Sequence, residues 1–277
     1  MISKIVVPTD FSQPAKQALL YAIALANKLK ASISVLHINQ VAMVDSTMPA
    51  ETYQLFVKEI EDQTTFLFNK LEQEVLKDCS VDYSMHSRYG FVTEEICEFS
   101  QKQGADLIVL GTTGLSVSAE ILFGTNAASV VAKTHVPVMV IPKDAVYKEF
   151  TRIVYATDYN EPEFPSLMHL IYFAEQFDCP LDILHVKSDA DHYFNAENNF
   201  FTKNKDKITY PNIRFVELEK GDVIESINHY VEENKVDLLV MAKHNRNFFD
   251  RLLHKSLSKQ MAFHTRIPLL VLVKNLS

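Results

Sequence analysis

Three of the six glycines in this 277-residue chain fall in one spaced pattern that could bind phosphate. Gly111 and Gly114 are followed, after nine further residues, by Gly124. An apolar run ending at Leu110 precedes the pattern, and a helical run beginning near Asn126 follows it. Glycine lets a ligand approach the backbone closely, and the unpaired N–H groups at a helix start favour anions. The pattern therefore predicts a phosphate-binding loop, although it is neither a Walker A motif nor the dinucleotide fingerprint.

The chain repeats itself at about half its length. Ile5–Phe11 returns as Ile153–Tyr159 at a shift of 148 residues, and Gly90–Gly111 returns as Gly221–Ala242 at a shift of 131. A period of this length indicates two similar domains rather than a short-repeat solenoid. We expect one domain over residues 1–145 and the other over 148–277, joined by a short linker.

The second copy has lost the glycines. At the shift of 131, the three glycines and the threonine after the last of them become Ala242, Asn245, Lys255 and Ser256. The sequence thus predicts one competent and one degenerate site. One hypothesis puts the Lys255 ammonium in the vacated phosphate space, facing the Asp158 carboxylate, and the other points Lys255 to solvent.

Strands and amphipathic helices alternate along each half, which predicts an α/β fold with a doubly wound parallel sheet. Ligands bind such sheets beyond the carboxyl ends of the strands, where the strand order reverses. Asp10 follows the first strand and Gly111 follows the fourth, so we expect both at that edge. The apolar stripe of Glu51–Lys77 is expected to cover the core, and partner docking is the alternative.

Composition excludes several classes of protein. A net charge of −8 argues against a general nucleic-acid surface, and no apolar run approaches the length of a membrane span. The first strand starts too early for a signal peptide. The three cysteines are scattered, have no zinc-site spacing, and fit reduced thiols in a cytoplasmic protein.

Three motifs resemble the universal stress protein family. They are Val-Pro-Thr-Asp-Phe-Ser at 7–12, the glycine pattern, and Val-Pro-Val-Met-Val-Ile at 136–141. Both halves carry the resemblance, which implies a tandem form with two five-stranded domains of strand order 3-2-1-4-5. It also implies that the last strands, Val138–Ile141 and Leu269–Val273, pair about a pseudo-twofold axis. The tandem chain would then be an intrachain pseudo-dimer, which could itself form a homodimer.

The family's nucleotide-binding branch implies ATP as the ligand, which Mg²⁺ can accompany. By resemblance, Asp10 faces the adenine beside Pro8 and Thr9, and Ile38 flanks the base. Leu110 and Gly111 lie near the ribose. The residues expected around the triphosphate are Gly114, Gly124, Thr125 and Asn126. In the second half only the base-end residues survive, namely Thr157, Asp158 and Val186.

The resemblance implies a role in stress response or nucleotide-dependent signalling, with unidentified protein partners. The sequence places no general base or nucleophile beside the phosphates, so at most slow hydrolysis is expected. An ATP hydrolase or phosphotransferase is one alternative, and a nucleotide-free interaction module is another. His37 and His185 recur at matching positions and are expected to be hydrogen-bonded strand-end histidines rather than catalytic ones.

Overall fold

The structure, a computed structural model, describes residues 2–40, 49–112, 125–157, 164–187, 205–243 and 267–273. Within these ranges the first half alternates strands and helices as the sequence predicts. Its elements are β1 (Lys4–Pro8), α1 (Gln13–Leu29), β2 (Ser32–Asn39), α2 (Ala50–Leu71), β3 (Tyr83–Tyr89), α3 (Val92–Lys102), β4 (Leu107–Gly111), α4 (Thr125–Lys133) and β5 (Val138–Ile141).

The second half repeats the order of the strands, and the segments 188–204 and 244–266, which follow its second and fourth strands, lie outside the described residues. Its elements are β6 (Ile153–Ala156), α5 (Phe164–Glu175), β7 (Leu181–Val186), β8 (Ile213–Leu218), α6 (Val223–Glu233), β9 (Leu238–Ala242) and β10 (Leu269–Leu272).

The ten strands of the described residues form one continuous sheet in the order β3-β2-β1-β4-β5-β10-β9-β6-β7-β8. Each half therefore has the predicted order 3-2-1-4-5. The strands within each half are parallel, whereas β5 and β10 pair antiparallel through Val138↔Val271 and Val140↔Leu269. This pairing confirms the expected junction of the last strands. Because it is antiparallel, the carboxyl edges of the two half-sheets lie on opposite sides of the molecule.

Helices cover both faces of the sheet and make two apolar layers. On one face α1, α2 and α5 pack over the sheet through residues such as Leu25, Leu71 and Leu170. On the other face α3, α4 and α6 pack through residues such as Phe99 and Val130. The inner strands are buried on both sides, which explains their nearly continuous apolar sequences, whereas the edge strands β3 and β8 are partly exposed.

The prediction that the whole apolar stripe of 51–77 covers the core is wrong for the first part of α2. Tyr53 and Phe56 are 40% and 38% exposed, whereas Phe68 and Leu71 are buried. At about 1.5 Å per residue, a helix of 22 residues is longer than strands of five to eight residues. Only its second part can lie over the sheet. The following turn, Glu72–Leu76, is π-helical rather than α-helical.

A carboxylate is fully buried in the second half. Asp182 on β7 accepts hydrogen bonds from Arg214 Nε at 2.7 Å, Arg214 Nη2 at 2.8 Å and Tyr230 Oη at 2.9 Å. A second guanidinium group, that of Arg152, lies 3.6 Å away. Such pairing is needed because an unpaired buried charge is strongly destabilising. The first half has Ser34 at the corresponding position, so this cluster belongs to the second half alone.

Candidate functional site

The loop after β1 is held by its own side chains. Thr9 Oγ1 accepts a hydrogen bond from the Phe11 amide at 3.0 Å, and Asp10 Oδ1 accepts one from the Ser12 amide at 3.0 Å. Ser12 caps α1, because its side chain accepts a hydrogen bond from the Ala15 amide. These turns fix the tight reversal in which Phe11 takes a positive φ of 62°. Asp10 is left exposed at the carboxyl edge of the first half-sheet.

A histidine on the neighbouring strand fastens this loop. His37 Nδ1 lies 2.8 Å from the Thr9 carbonyl oxygen, and it must be the donor because a carbonyl oxygen only accepts. The His37 ring also packs against Phe11, with ring centroids 4.6 Å apart. His185 Nδ1 makes the same contact with the Thr157 carbonyl oxygen at 2.9 Å. Both histidines are thus hydrogen-bonded at strand ends, as predicted.

Two apolar side chains lie beside the loop on one face of the sheet. Ile38 and Leu110 belong to the apolar layer under α3 and α4, and both are almost fully buried. The first turn of α4 starts at the same edge, with Thr125 and Asn126 exposed. The first N–H groups of a helix have no intrahelical partner and lie at the positive end of its dipole. This edge therefore combines two apolar side chains with backbone N–H donors that suit an anion.

Gly111 is required by packing. A Cβ atom added there would lie 2.7 Å from the Pro14 carbonyl oxygen at the start of α1. The backbone of β4 thus approaches the helix too closely for a side chain. Its counterpart Ala242 is buried at the end of β9, so the second half tolerates a methyl group there. A ligand-facing role for Gly111 stays a prediction.

The predicted residues divide between those that the structure describes and those that it does not. Pro8, Thr9, Asp10, Ile38, Leu110 and Gly111 lie at one carboxyl edge with Thr125 and Asn126, whereas Gly114 and Gly124 lie outside the described residues. At the opposite edge of the molecule Val186 and Ala242 end their strands, and Thr157 directly follows β6. Asp158, Asn245, Lys255 and Ser256 lie outside the described residues.

A polar cluster around Asn39, close to the loop, was not predicted from the sequence. Asn39 at the end of β2 donates to Ser87 Oγ at 2.8 Å and accepts from Thr64 Oγ1 at 3.0 Å. It ties α2 and β3 to the strand that carries His37. Arg88 is the neighbour of Ile38 across β2 and β3, so the two side chains share a face. The sequence signal that could have predicted this cluster is the presence of polar residues near the ends of both β2 and β3.

A lysine from the second half contacts the helix that starts at the site. Lys243 Nζ donates to the Thr134 carbonyl oxygen, just after α4, at 3.1 Å. Burial lowers the pKa of this lysine. A cation at a helix C-terminus is electrostatically favourable. The second half thereby holds the far end of the helix whose first turn lies at the candidate site.

Metal and thiol chemistry find little support among the described side chains. None of the His, Cys, Asp and Glu residues in these segments forms a group of three that could hold a metal ion. All three cysteines are free, and burial raises the pKa of Cys179 to about 11. A thiol in that state is a poor nucleophile. None of the described helices has both the length and the apolar character that a bilayer crossing requires.

Comparison with known proteins connects the two halves to one family. The model of the universal stress protein family matches residues 1–142 and 196–274. Universal stress protein Slr1230 of Synechocystis sp. is 26% identical over 291 residues, covering 97% of this chain and 99% of the relative. Universal stress protein MJ0531 of Methanocaldococcus jannaschii is 31% identical over 144 residues, covering 52% of this chain and 84% of the relative.

A solved structure has the same fold over the full length of the chain. It is that of a universal stress protein from Archaeoglobus fulgidus, which aligns with a TM-score of 0.73 at 19% sequence identity. The alignment covers 98% of this chain and 96% of that protein. The likeness therefore extends over both halves.

Proposed function

Because the chain belongs to the universal stress protein family, we propose that its first half binds one ATP at the carboxyl edge of the sheet. The observation that carries the proposal is the meeting of three features at that edge. They are the fastened Thr9–Ser12 loop, the apolar pair Ile38 and Leu110, and the exposed first turn of α4. The edge lies at the strand-order reversal between β1 and β4, where open α/β sheets bind ligands.

Each part of this edge fits a different part of the nucleotide. The apolar side chains of Ile38 and Leu110 suit the flat face of a base, and the exposed carboxylate of Asp10 can accept hydrogen bonds from an exocyclic amine. The N–H groups of Thr125 and Asn126 suit phosphate oxygens. Gly114 and Gly124 would leave room for phosphates beside the backbone. Mg²⁺, if bound, would be held mainly by the phosphates.

The proposed activity is nucleotide-responsive signalling in stress adaptation rather than fast hydrolysis. Among the described groups at this edge, His37 is engaged with the Thr9 carbonyl oxygen, and Asp10 Oδ1 with the Ser12 amide. Both groups stabilise the loop, which leaves them poorly suited to activate water. We expect the protein to act in the cytoplasm, where its free thiols would stay reduced.

Affinity measurements on a charge variant test the proposal. Asn126→Asp adds a negative charge in the exposed first turn of α4, which favours the helix but repels phosphate. We expect at least a roughly tenfold loss of ATP affinity without loss of stability. Gln101→Glu makes the same amide-to-carboxylate change on α3, at the other edge of the half-sheet, and should bind ATP like the wild type.

Two further measurements separate the alternatives. Acid denaturation of freshly purified protein should release adenine nucleotide, which chromatography quantifies. Protein without releasable nucleotide and without measurable ATP affinity would contradict the proposal and favour an interaction module. Turnover of added ATP to ADP well above background, lost in Asn126→Asp, would instead favour a hydrolase.

A further inference from the structure

A cavity of about 470 Å³ opens at the junction of the two halves. It lies at the amino-terminal ends of β4 and β5, on the side of the sheet covered by α1 and α5. Its wall is mostly apolar and includes Ile2, Leu29, Leu170, Phe173, Leu270 and Leu272. Gln176 and His135 stand exposed on its rim. The size and the position between two domains are typical of small-molecule sites.

The pseudo-twofold axis relates this cavity to a second groove, where the chain's own linker is bound. The shift of 148 residues maps Ile2 onto Phe150 and Leu29 onto Phe177, and it maps Tyr21 onto His169 of the cavity wall. The segment between β5 and β6 packs there against α1, with the Tyr147 ring on Tyr21 and the Ala145 carbonyl oxygen accepting from Gln17 Nε2. One groove of a matched pair is thus occupied, and its occupant indicates what the other can accept.

The occupant of the second groove is an aromatic side chain. The Tyr147 ring packs edge-on against Tyr21, with centroids 5.2 Å apart, and against Phe150 at 6.2 Å. Burial raises the pKa of Tyr147 to about 12. The linker is anchored on either side, because Gln17 Nε2 donates to the Ala145 carbonyl oxygen and Lys28 pairs with Glu149.

We propose that the cavity at the amino-terminal ends of β4 and β5 binds a small aromatic molecule of about the size of a phenol. In the filled groove, the phenol ring of Tyr147 lies between Tyr21 on α1 and Phe150 just before β6. The corresponding walls of the cavity are His169 and Ile2. The wall offers apolar contacts for a ring, while Gln176 and His135 can hydrogen-bond a polar substituent at the rim.

This site is separate from the proposed nucleotide site. Asp10 and the start of α4 lie at the carboxyl edge of the first half-sheet, whereas Ile2, Asp106 and Pro137 of the cavity lie at its amino-terminal edge. The inference does not depend on ATP binding. An aromatic ligand could still influence the whole molecule, because it would touch both halves at once.

The probe for the test is p-cresol, which is the side chain of tyrosine as a free molecule. We expect saturable binding by full-length wild-type protein with a dissociation constant of about 1 mM, typical of a ligand with so few atoms. Methyl NMR signals of Leu29, Leu270 and Leu272 should shift along one saturation curve. A wild-type protein whose cavity methyls do not shift saturably would overturn the proposal.

Matched variants locate the binding. Gln176→Trp and His135→Trp narrow the cavity from exposed rim positions in opposite halves, and each should weaken p-cresol binding by roughly tenfold. Glu175→Trp places the same ring on the exposed surface of α5 outside the cavity wall and should bind like wild type. Equal affinity in all three variants would contradict the assignment.

A variant of the linker tests the symmetry argument itself. Tyr147→Ala removes the ring from the filled groove, so p-cresol should then bind at two sites instead of one. The second site should raise the melting temperature of Tyr147→Ala more than that of wild type, since the ligand restores a lost contact. If p-cresol raises the melting temperatures of wild type and Tyr147→Ala equally, the groove that holds Tyr147 does not bind p-cresol. The symmetry argument for the cavity would then be wrong.

Discussion

At the scale of single residues, Gly111 illustrates how packing and ligand binding can require the same amino acid. The sequence suggests a ligand-facing glycine, while the structure gives it a close backbone contact with Pro14. We expect Gly111→Ala to lower the free energy of unfolding by about 1–3 kcal/mol, because either the strand or the helix must shift. Urea denaturation without nucleotide measures this loss.

Gly221→Ala is the matched control for that substitution. Its new Cβ would approach the Ser226 hydroxyl at 3.1 Å, a side-chain atom that can rotate away. The change should stay within about 0.5 kcal/mol of wild type. If Gly111→Ala proves equally harmless and only ATP binding suffers, the glycine serves the ligand rather than the packing.

Asp182 is a fully buried, charged residue of the second half. Replacing it with Asn should cost about 2–3 kcal/mol of stability, because the neutral amide loses the charge that pairs with Arg214 and turns its own N–H groups toward a guanidinium N–H. The expected loss of stability is moderate because the Arg214 side chain is half exposed, so water can partly solvate its charge. Thermal and urea unfolding of the purified variant measure it.

The double variant Asp182→Leu with Arg214→Met checks the cause. An apolar pair of similar size removes the buried carboxylate together with the guanidinium that pairs with it, so it should recover much of the lost stability, apart from the contacts that Arg152 and Tyr230 make with Asp182. The double variant could instead lose as much stability as Asp182→Leu and Arg214→Met lose together when each is made alone. That result would mean that the ion pair is not the origin of the effect.

At the scale of elements, the sequence predicted the burial of the strands better than the burial of the helix α2. Runs such as Leu107–Leu110 are buried on both faces, and their continuous apolar character is unambiguous. The helix α2 was predicted correctly as a helix but not in its burial, because periodicity reveals an apolar face and not what lies opposite it. Tyr53 and Phe56 keep helical spacing although they are exposed.

The sequence predicted which residues of the candidate site lie at strand ends. It did not predict which side chains form hydrogen bonds with each other around the site. Asp10 and Gly111 could be brought to one edge from the order of elements alone. The hydrogen bond from His37 to the Thr9 carbonyl oxygen joins residues 28 positions apart, and no local pattern encodes it. The same applies to Asn39, whose partners come from α2 and β3.

The pairing of β5 with β10 joins the two half-sheets into one sheet. The amides of this junction are hydrogen-bonded between strands and covered on both faces, so we expect hydrogen exchange there to be as slow as in the central strands of each half. The edge strand β3, which is largely exposed, should exchange faster. Peptide-level exchange monitored by mass spectrometry compares 138–141 and 269–272 with 83–89.

Fast exchange at both strands of the junction, with slow exchange elsewhere, would contradict a continuous sheet. The two halves would then be separately folded domains that touch only loosely. The slow pattern would instead make the tandem chain one structural unit, in which the covalent linker and the central strand pair act together.

At the scale of the whole molecule, the antiparallel junction sends the two candidate edges to opposite sides. The first half keeps Gly111, Gly114 and Gly124, whereas Ala242, Asn245 and Lys255 stand at the matching positions of the second. Lys243 nevertheless connects the second half to α4 of the first. We expect the second half to support the proposed nucleotide site of the first rather than to bind a nucleotide itself.

Calorimetric titration of the full-length protein with ATP tests this asymmetry most directly. We predict one ATP per chain, loss of binding in Gly124→Asp through the added carboxylate, and unchanged binding in the matched variant Lys255→Asp. Two equivalent sites per chain, or binding that survives Gly124→Asp but is lost in Lys255→Asp, would contradict the account.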